Sequence, residues 1–413
     1  MTVFTPEWAV EINGLGDVTD LVLSDLTITS GRTDIYSQPV AGYCRFTIKN
    51  LDQSVIGFDV NDSIVVKIKD STATYIPIFG GDVSDIDLVV STGEPAITQN
   101  VTVTALGALS KLPKVLTEGV LDKAFDGDQV FEILSQVLFA QWNQVPAAET
   151  WNDYDVLTQW QDAENSGLGE IDRPGDYELA ARSASTTDIY SLVASLANSV
   201  LGYIYEDAAG RIGYADSTHR SQYLASDGYV FVDGGLAYAS GIATSKRLGD
   251  LRNKVTITYK NGAQETAEET SSIQTYGTQA QNIQTSIENS ADALDQAEFY
   301  LQIRAFPQFQ FKSISFPFTN PNMSDVVRDQ FINIEMGLPL DIEDLPLNIQ
   351  GGRYQGFVEG WTWTSRFNAL DLTINVSPIA YSLQAYRWTS VPVDLEWNSV
   401  STDFDWNNAT IVA

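Results

Sequence analysis

From Trp8 to Leu106 the chain repeatedly alternates apolar and polar residues, and a period of two suits only a strand with one face buried and the other wet. Trp8-Ala9-Val10-Glu11-Ile12 alternates before the turn signal Asn13-Gly14, and Leu21 to Thr29 alternates again. Tyr43-Cys44-Arg45-Phe46-Thr47-Ile48, Ser63 to Lys69 and Thr98 to Leu106 follow, rich in Val, Ile and Thr and separated by Gly, Asn and Asp. Such a series predicts a β-barrel or sandwich. The same period returns at Asn253–Tyr259 and Phe309–Phe316.

Helical spacing separates these two β regions. Val130, Phe131, Leu134, Val137, Leu138 and Trp142 form one apolar stripe, with Asp126 and Gln129 placed as a capping box. Ile189, Leu192, Val193, Leu196 and Val200 form a second, with Thr186 or Thr187 as cap and Gly202 past the end. Tyr203-Ile204-Tyr205 and Arg211-Ile212-Gly213-Tyr214 flank Glu206 to Gly210 as a hairpin would. Residues 143–185 are polar, carry Trp151, Tyr154 and Trp160 among acids, and read as a long surface excursion. A third helix carries Leu294, Ala297 and Leu301 behind a Ser290 cap and must stop before Pro307.

The expected fold class is therefore mainly β with α+β insertions, in about two to four domains. The boundaries fall at 1–112 for a first β-barrel, 113–236 for helical and α+β insertion domains, and 237–380 for a second barrel-like domain. Residues 381–413 remain as a C-terminal docking arm.

Two internal echoes support the doubling. Phe79-Gly80-Gly81-Asp82-Val83, followed by Val101 to Thr104, is matched by Tyr354-Gln355-Gly356-Phe357-Val358, followed by Leu370 to Ile374. Phe58 to Ile64 loosely matches Met336 to Leu340. Two related barrels separated by smaller α/β domains would produce this pattern. In the arm, Asp394-Leu395-Glu396-Trp397-Asn398 returns nine residues later as Asp403-Phe404-Asp405-Trp406-Asn407. Leu395, Trp397, Phe404 and Trp406 would share one strand face, either folded back on their own domain or docked on a neighbouring subunit.

Charge narrows the partners. With 54 acidic against 23 basic residues the net charge is −31, scattered singly rather than in runs. That field repels a phosphate backbone and disfavours stable nucleic-acid binding, though it does not forbid a surface past which DNA slides. High-salt or solubility adaptation would give the same sign. One cysteine, Cys44, excludes an internal disulfide and a multi-thiolate zinc site; its alternating context makes it a strand residue. Neither a signal peptide nor an eighteen-residue apolar run is present, so a soluble protein of a reducing compartment is expected.

Catalytic chemistry finds little to use. His219 is the only histidine and reads as a loop residue, so triads and His-based metal sites are set aside. Gly14-Leu15-Gly16-Asp17 falls short of a dinucleotide fingerprint. Paired carboxylates remain possible for a glycoside hydrolase, with Trp151, Trp160, Asp153, Asp155 and Asp162 as the sugar surface. Asp341-Ile342-Glu343-Asp344 and Asp82 to Asp87 lack EF-hand spacing and read as solvated strand edges. No catalytic residue, cofactor or metal is expected.

Several stretches resemble one family. Gly31-Arg32-Thr33-Asp34 with Ala41 to Asp52 resembles the opening barrel of minor tail proteins of long-tailed phages. Asn253 to Thr258 followed by Ser271-Ser272-Ile273-Gln274-Thr275-Tyr276-Gly277, then Phe306-Pro307, then Trp361 to Pro378, is similar to later segments of the same proteins in the same order. The resemblance implies the baseplate-hub fold of two related barrels and two smaller α/β domains. It further implies a homotrimer whose barrels make a pseudo-sixfold ring around the DNA channel at the distal end of the virion tail. Partners implied are the distal tail protein ring, the tail tube or tape-measure protein end, and a tip fibre or spike protein, with genomic DNA only in transit. A distal-tail adaptor or a carbohydrate-binding tail module is the alternative. Leu395, Trp397, Phe404, Trp406, Trp151 and Trp160 are the candidate interface residues.

Overall fold

The computed structural model describes residues 4–13, 16–17, 23–50, 55–93, 96–141, 168–220, 223, 230–232, 239–307, 310–349, 352–366 and 369–378. The first β region supplies seven strands: β1 (Trp8–Ile12), β2 (Gly16–Asp17), β3 (Leu23–Gly31), β4 (Tyr43–Asn50), β5 (Ser63–Lys69), β6 (Tyr75–Gly93) and β7 (Ala96–Leu106). Alternation decides their faces. Val10 and Ile12, Cys44, Phe46 and Ile48, Ile64, Val66 and Ile68, and Val101 and Val103 all turn into one core. Each such side chain stabilises the fold by about 1.5–3 kcal/mol relative to exposure. Cys44 is fully buried, as its strand context predicts, and burial pushes its thiol up, away from any nucleophilic role.

Shorter elements follow: β8 (Leu116–Thr117), β9 (Ala124–Phe125), α1 (Asp126–Gln141), β10 (Leu168–Ile171), β11 (Glu178–Leu179), β12 (Thr187–Asp188), α2 (Ile189–Ser199), β13 (Tyr203–Glu206) and β14 (Ile212–Ala215). The stripe of α2 is buried as its spacing predicts. Its cap differs. Asp188, not Thr186 or Thr187, accepts from the Ser191 backbone N–H at 2.8 Å. Asp126 does begin α1, but no capping box forms, because its carboxylate takes the Tyr177 N–H and the Tyr214 hydroxyl. Gln129 donates instead to the Asp122 and Ala180 carbonyls.

The last stretch contains β15 (Val230–Val232), β16 (Gly241–Ser245), β17 (Lys254–Tyr259), β18 (Ala263–Glu268), α3 (Thr270–Tyr276), β19 (Ala280–Gln284), α4 (Ser290–Arg304), β20 (Gln310–Pro317), α5 (Asp325–Ile332), β21 (Pro339–Ile342), β22 (Tyr354–Arg366) and β23 (Ala369–Pro378). Two cores divide it. β17, β18 and β19 form a small sheet of their own. Val255, Ile257 and α4, through Ala293, Ala297, Leu301 and Ile303, pack with α1, α2 and the β13–β14 hairpin. The strands from β20 onward pack with β1–β7. Leu294, placed on the buried stripe by spacing, is 37% exposed; Ala293 and Tyr300 turn inward.

The doubling heralded by the sequence echoes is present at residue level. The first half-sheet runs β3-β4-β7-β6-β5-β1, and the second runs β16-β20-β23-β22-β21-β15 in the same order. Gly81 of β6 pairs with Ile64, and Gly356 of β22 pairs with Leu340. A Cβ on Gly81 would stand 2.3 Å from the Leu106 carbonyl oxygen, and one on Gly356 would stand 2.3 Å from that of Ser377. Both strands then bulge at the equivalent place, after Val83 against β7 and after Val358 against β23. One junction differs, since β1 is antiparallel to β5 but β15 is parallel to β21.

The described strands do not build two separate closed barrels. Among the described residues no pairing closes either half on itself. Instead β3 pairs with β22 from Thr27↔Thr364 to Gly31↔Gly360, and both halves join in one 13-stranded sheet. Strand length permits this. β22 has 13 residues and β21 only 4, so most of that edge of β22 stays open and accepts β3.

Candidate assembly site: the seam between the half-sheets

Where β3 meets β22 the two backbones nearly touch. Gly31 sits at φ +83°, and a Cβ there would lie 2.4 Å from the Glu359 carbonyl oxygen and 2.5 Å from Gly360 Cα. Only glycine fits, by conformation and by space. Gly31→Ala is expected to cost about 3 kcal/mol, from left-handed strain plus overpacking, and to lower the urea midpoint without changing the slope.

The bulge after Val358 turns Glu359 inward, where its side chain is 1% exposed. Arg32, one residue beyond β3, donates from Nε to Glu359 Oε2 at 2.7 Å. Arg220 donates from Nη2 to both carboxylate oxygens at 2.8 Å. The Ser377 hydroxyl donates to Oε1 at 2.5 Å. Tyr203 lies under both guanidinium groups, 4.9 Å from Arg32 and 4.7 Å from Arg220. Burial alone would raise the Glu359 carboxyl, but Arg220 and Arg32 hold it below its ordinary value. The first half-sheet, the hairpin region and the second half-sheet thus share one buried ionic joint.

A second polar cluster lies nearby. His219, read from sequence as a loop residue, is buried and pairs through Nδ1 with Asp172 Oδ2 at 2.9 Å. Burial would depress its pKa, yet Asp172, Glu170 and Asp216 outweigh burial and raise it to about 9. Burial also raises Asp126 to about 7, against the opposing Tyr214 and Tyr177 hydrogen bonds. Glu206, which accepts the Gly42 and Leu109 N–H groups, is likewise raised by burial to about 7. Glu170, Asp172 and His219 could each turn one ligand atom to a common point, since those atoms lie within 4.8 Å of one another. His219 Nδ1 and Asp172 Oδ2 already engage each other at 2.9 Å, so the group is read as a buried histidine–carboxylate pair.

Of the residues singled out from sequence, Trp151, Trp160, Leu395, Trp397, Phe404 and Trp406 lie outside the described residues, as do Asp153, Asp155 and Asp162. Asp341 is fully buried and bound by Arg353 Nε at 2.8 Å, so it is no solvated edge residue. The joint at Arg32, Arg220 and Glu359 escaped sequence reading. The Gly31-Arg32 pair ahead of a strand was its only trace.

No protein-family model matches the chain, and no curated protein matches it either. Solved structures do: the fold is that of phage tail proteins. The chain is similar over 92% of its length to 98% of the tail protein from Neisseria meningitidis MC58, with a TM-score of 0.58 and 13% identity. It is similar over 91% of its length to 99% of the 43 kDa tail protein of prophage MuSo2 from Shewanella oneidensis, with a TM-score of 0.55 and 11% identity.

Proposed function

We propose that the chain is a structural subunit of a phage tail tip, acting by assembly and not by catalysis. Three copies form a hub ring around the DNA channel at the distal end of the virion tail. The ring joins the tail tube or distal tail ring to the tip fibre or spike. The observation that carries this reading is the doubled half-sheet. One chain holding two equivalent β units lets three chains present six, so a threefold tip can meet a sixfold tube. The likeness to tail proteins along nearly the whole chain supports the tail setting.

In this reading 1–112 and 237–380 carry the two half-sheets, 113–236 lies between them and lends β15 (Val230–Val232) to the second, and 381–413 is an arm. Leu395, Trp397, Phe404 and Trp406 dock that arm on a neighbour, while Trp151 and Trp160 belong to a further contact. Part of the −31 charge faces the channel, where it keeps phosphate from adhering as DNA passes. A potential map of the assembled ring checks this: an acidic lumen is expected, and a basic lumen contradicts it.

The copy number of the purified assembly by native mass spectrometry tests the whole reading. Three copies are expected. Six would indicate an adaptor ring, and a single sugar-binding copy would indicate a receptor module.

A further inference from the structure

The equivalence of the half-sheets leaves one place unmatched. β22 spends the outer part of its free edge on β3, through Trp361↔Ser30, Thr362↔Thr29, Trp363↔Ile28 and Thr364↔Thr27. Its counterpart β6 is 19 residues long, and β5 covers that edge only from Tyr75 to Asp82. Beyond Asp82 the same edge has no strand partner among the described residues. The counterpart of β3 is β16, which among the described residues pairs with β20 alone. Each half-sheet therefore offers one half of a seam that the chain completes only once.

The side chains along the open edge fit the same conclusion. Trp363 in β22 is fully buried beside β3, whereas its equivalent in β6, Leu88, is 51% exposed. Val89 is 56% exposed and Val90 47% exposed. A long apolar edge strand in water is an aggregation hazard unless something covers it.

We propose that the outer half of β6 and the edge strand β16 pair antiparallel between neighbouring copies of this chain, repeating between molecules the β22·β3 seam made within one. This deepens the hub-ring reading and rests on it. Such a contact is head-to-tail, and it closes because intramolecular and intermolecular seams alternate around the ring. The register follows from the ladders. Val83 and Val358 are equivalent at the bulge, which places Val89 where Thr364 stands. Arg45 and Ser313 occupy equivalent places in β4 and β20, which places Ala243 where Thr27 stands. Because Thr364 faces Thr27, Val89 of one copy should face Ala243 of the next. Asp87 and Ser245 are then opposed as Thr362 and Thr29 are.

Cysteine pairing tests this directly, since the one native cysteine is buried. Opposed residues of an antiparallel pair lie close enough for a disulfide. In the full chain carrying Val89→Cys and Ala243→Cys, mild oxidation should give a covalent ladder that stops at three copies, while either single variant gives none. A three-copy assembly that yields no disulfide overturns the seam and leaves the hub reading standing. Failure of the unmodified chain to form three copies overturns both. A second variant, Leu88→Lys with Val90→Lys, should lose the three-copy species while keeping its circular dichroism. Retention of three copies by that variant also overturns the seam.

Discussion

Glu359→Ala should unfold at a markedly lower denaturant concentration than the parent, with a loss of about 4 kcal/mol. Removing one member of a buried ionic group costs about 3–5 kcal/mol, because the remaining charges stay buried and uncompensated. Here two guanidinium groups would be stranded, with Arg32 and Arg220 both nearly sealed from water. Their desolvation is not fully compensated even in the parent: Arg32 Nη2 and Arg220 Nε find no partner among the described atoms. Glu359→Gln should recover little, since the amide keeps the shape but leaves two positive charges facing each other. Replacing all three by apolar residues of similar volume should recover most of the loss, because no buried charge then remains. Urea unfolding of the four proteins checks the order. A parent-like midpoint for Glu359→Ala would mean that the joint does not hold the half-sheets together.

The second large effect is on pH. His219 has its pKa raised to about 9 from an ordinary 6.5, so its contribution is fully present below about 6.5 and is lost as pH climbs through 9. Asp126 and Glu206 are each raised to about 7 from ordinary values of 3.8 and 4.5. Their contribution is greatest at acid pH, and what remains at pH 6 disappears above pH 7. Glu359 works in the opposite direction. Its carboxyl is lowered, so its contribution is present above 4.5 and is lost only as pH falls through its depressed value. The sum gives a stability maximum at mildly acid pH and a decline of a few kcal/mol between pH 6 and pH 9. In a chain of this size that is on the order of 5 °C or more in the thermal midpoint. Scanning calorimetry at fixed ionic strength checks it. His219→Gln with Asp126→Asn should flatten the slope, and a midpoint that rises from pH 6 to pH 9 would contradict the assignment.

Local order was legible in the sequence wherever a period was strong. Ser63–Lys69 is a strand to the residue, and the stripe from Ile189 to Val200 is buried as spaced. The echoes between Phe79–Val83 and Tyr354–Val358 correctly aligned two strands far apart in the chain. Long-range pairing was not legible. Nothing near Thr27 or Thr364 announces that β3 will continue the sheet of β22, because pairing of distant edges is decided by lengths and bulges. Glu359 gave no signal for the same reason: it points inward only because a bulge breaks the alternation on either side of it. Lys254–Tyr259 read correctly as a strand, but its period could not reveal that α4 covers it in the core of α1 and α2. His219 looked like a loop residue because its partner, Asp172, lies far off in sequence.

The central claim is that each copy carries two equivalent β units, so that threefold packing mimics sixfold geometry. End-on class averages of the purified assembly by electron microscopy test it most directly. A ring with a central hole and six lobes whose density repeats only every second lobe is expected. Six identical lobes from six chains, or three-copy particles with no hole, would contradict it.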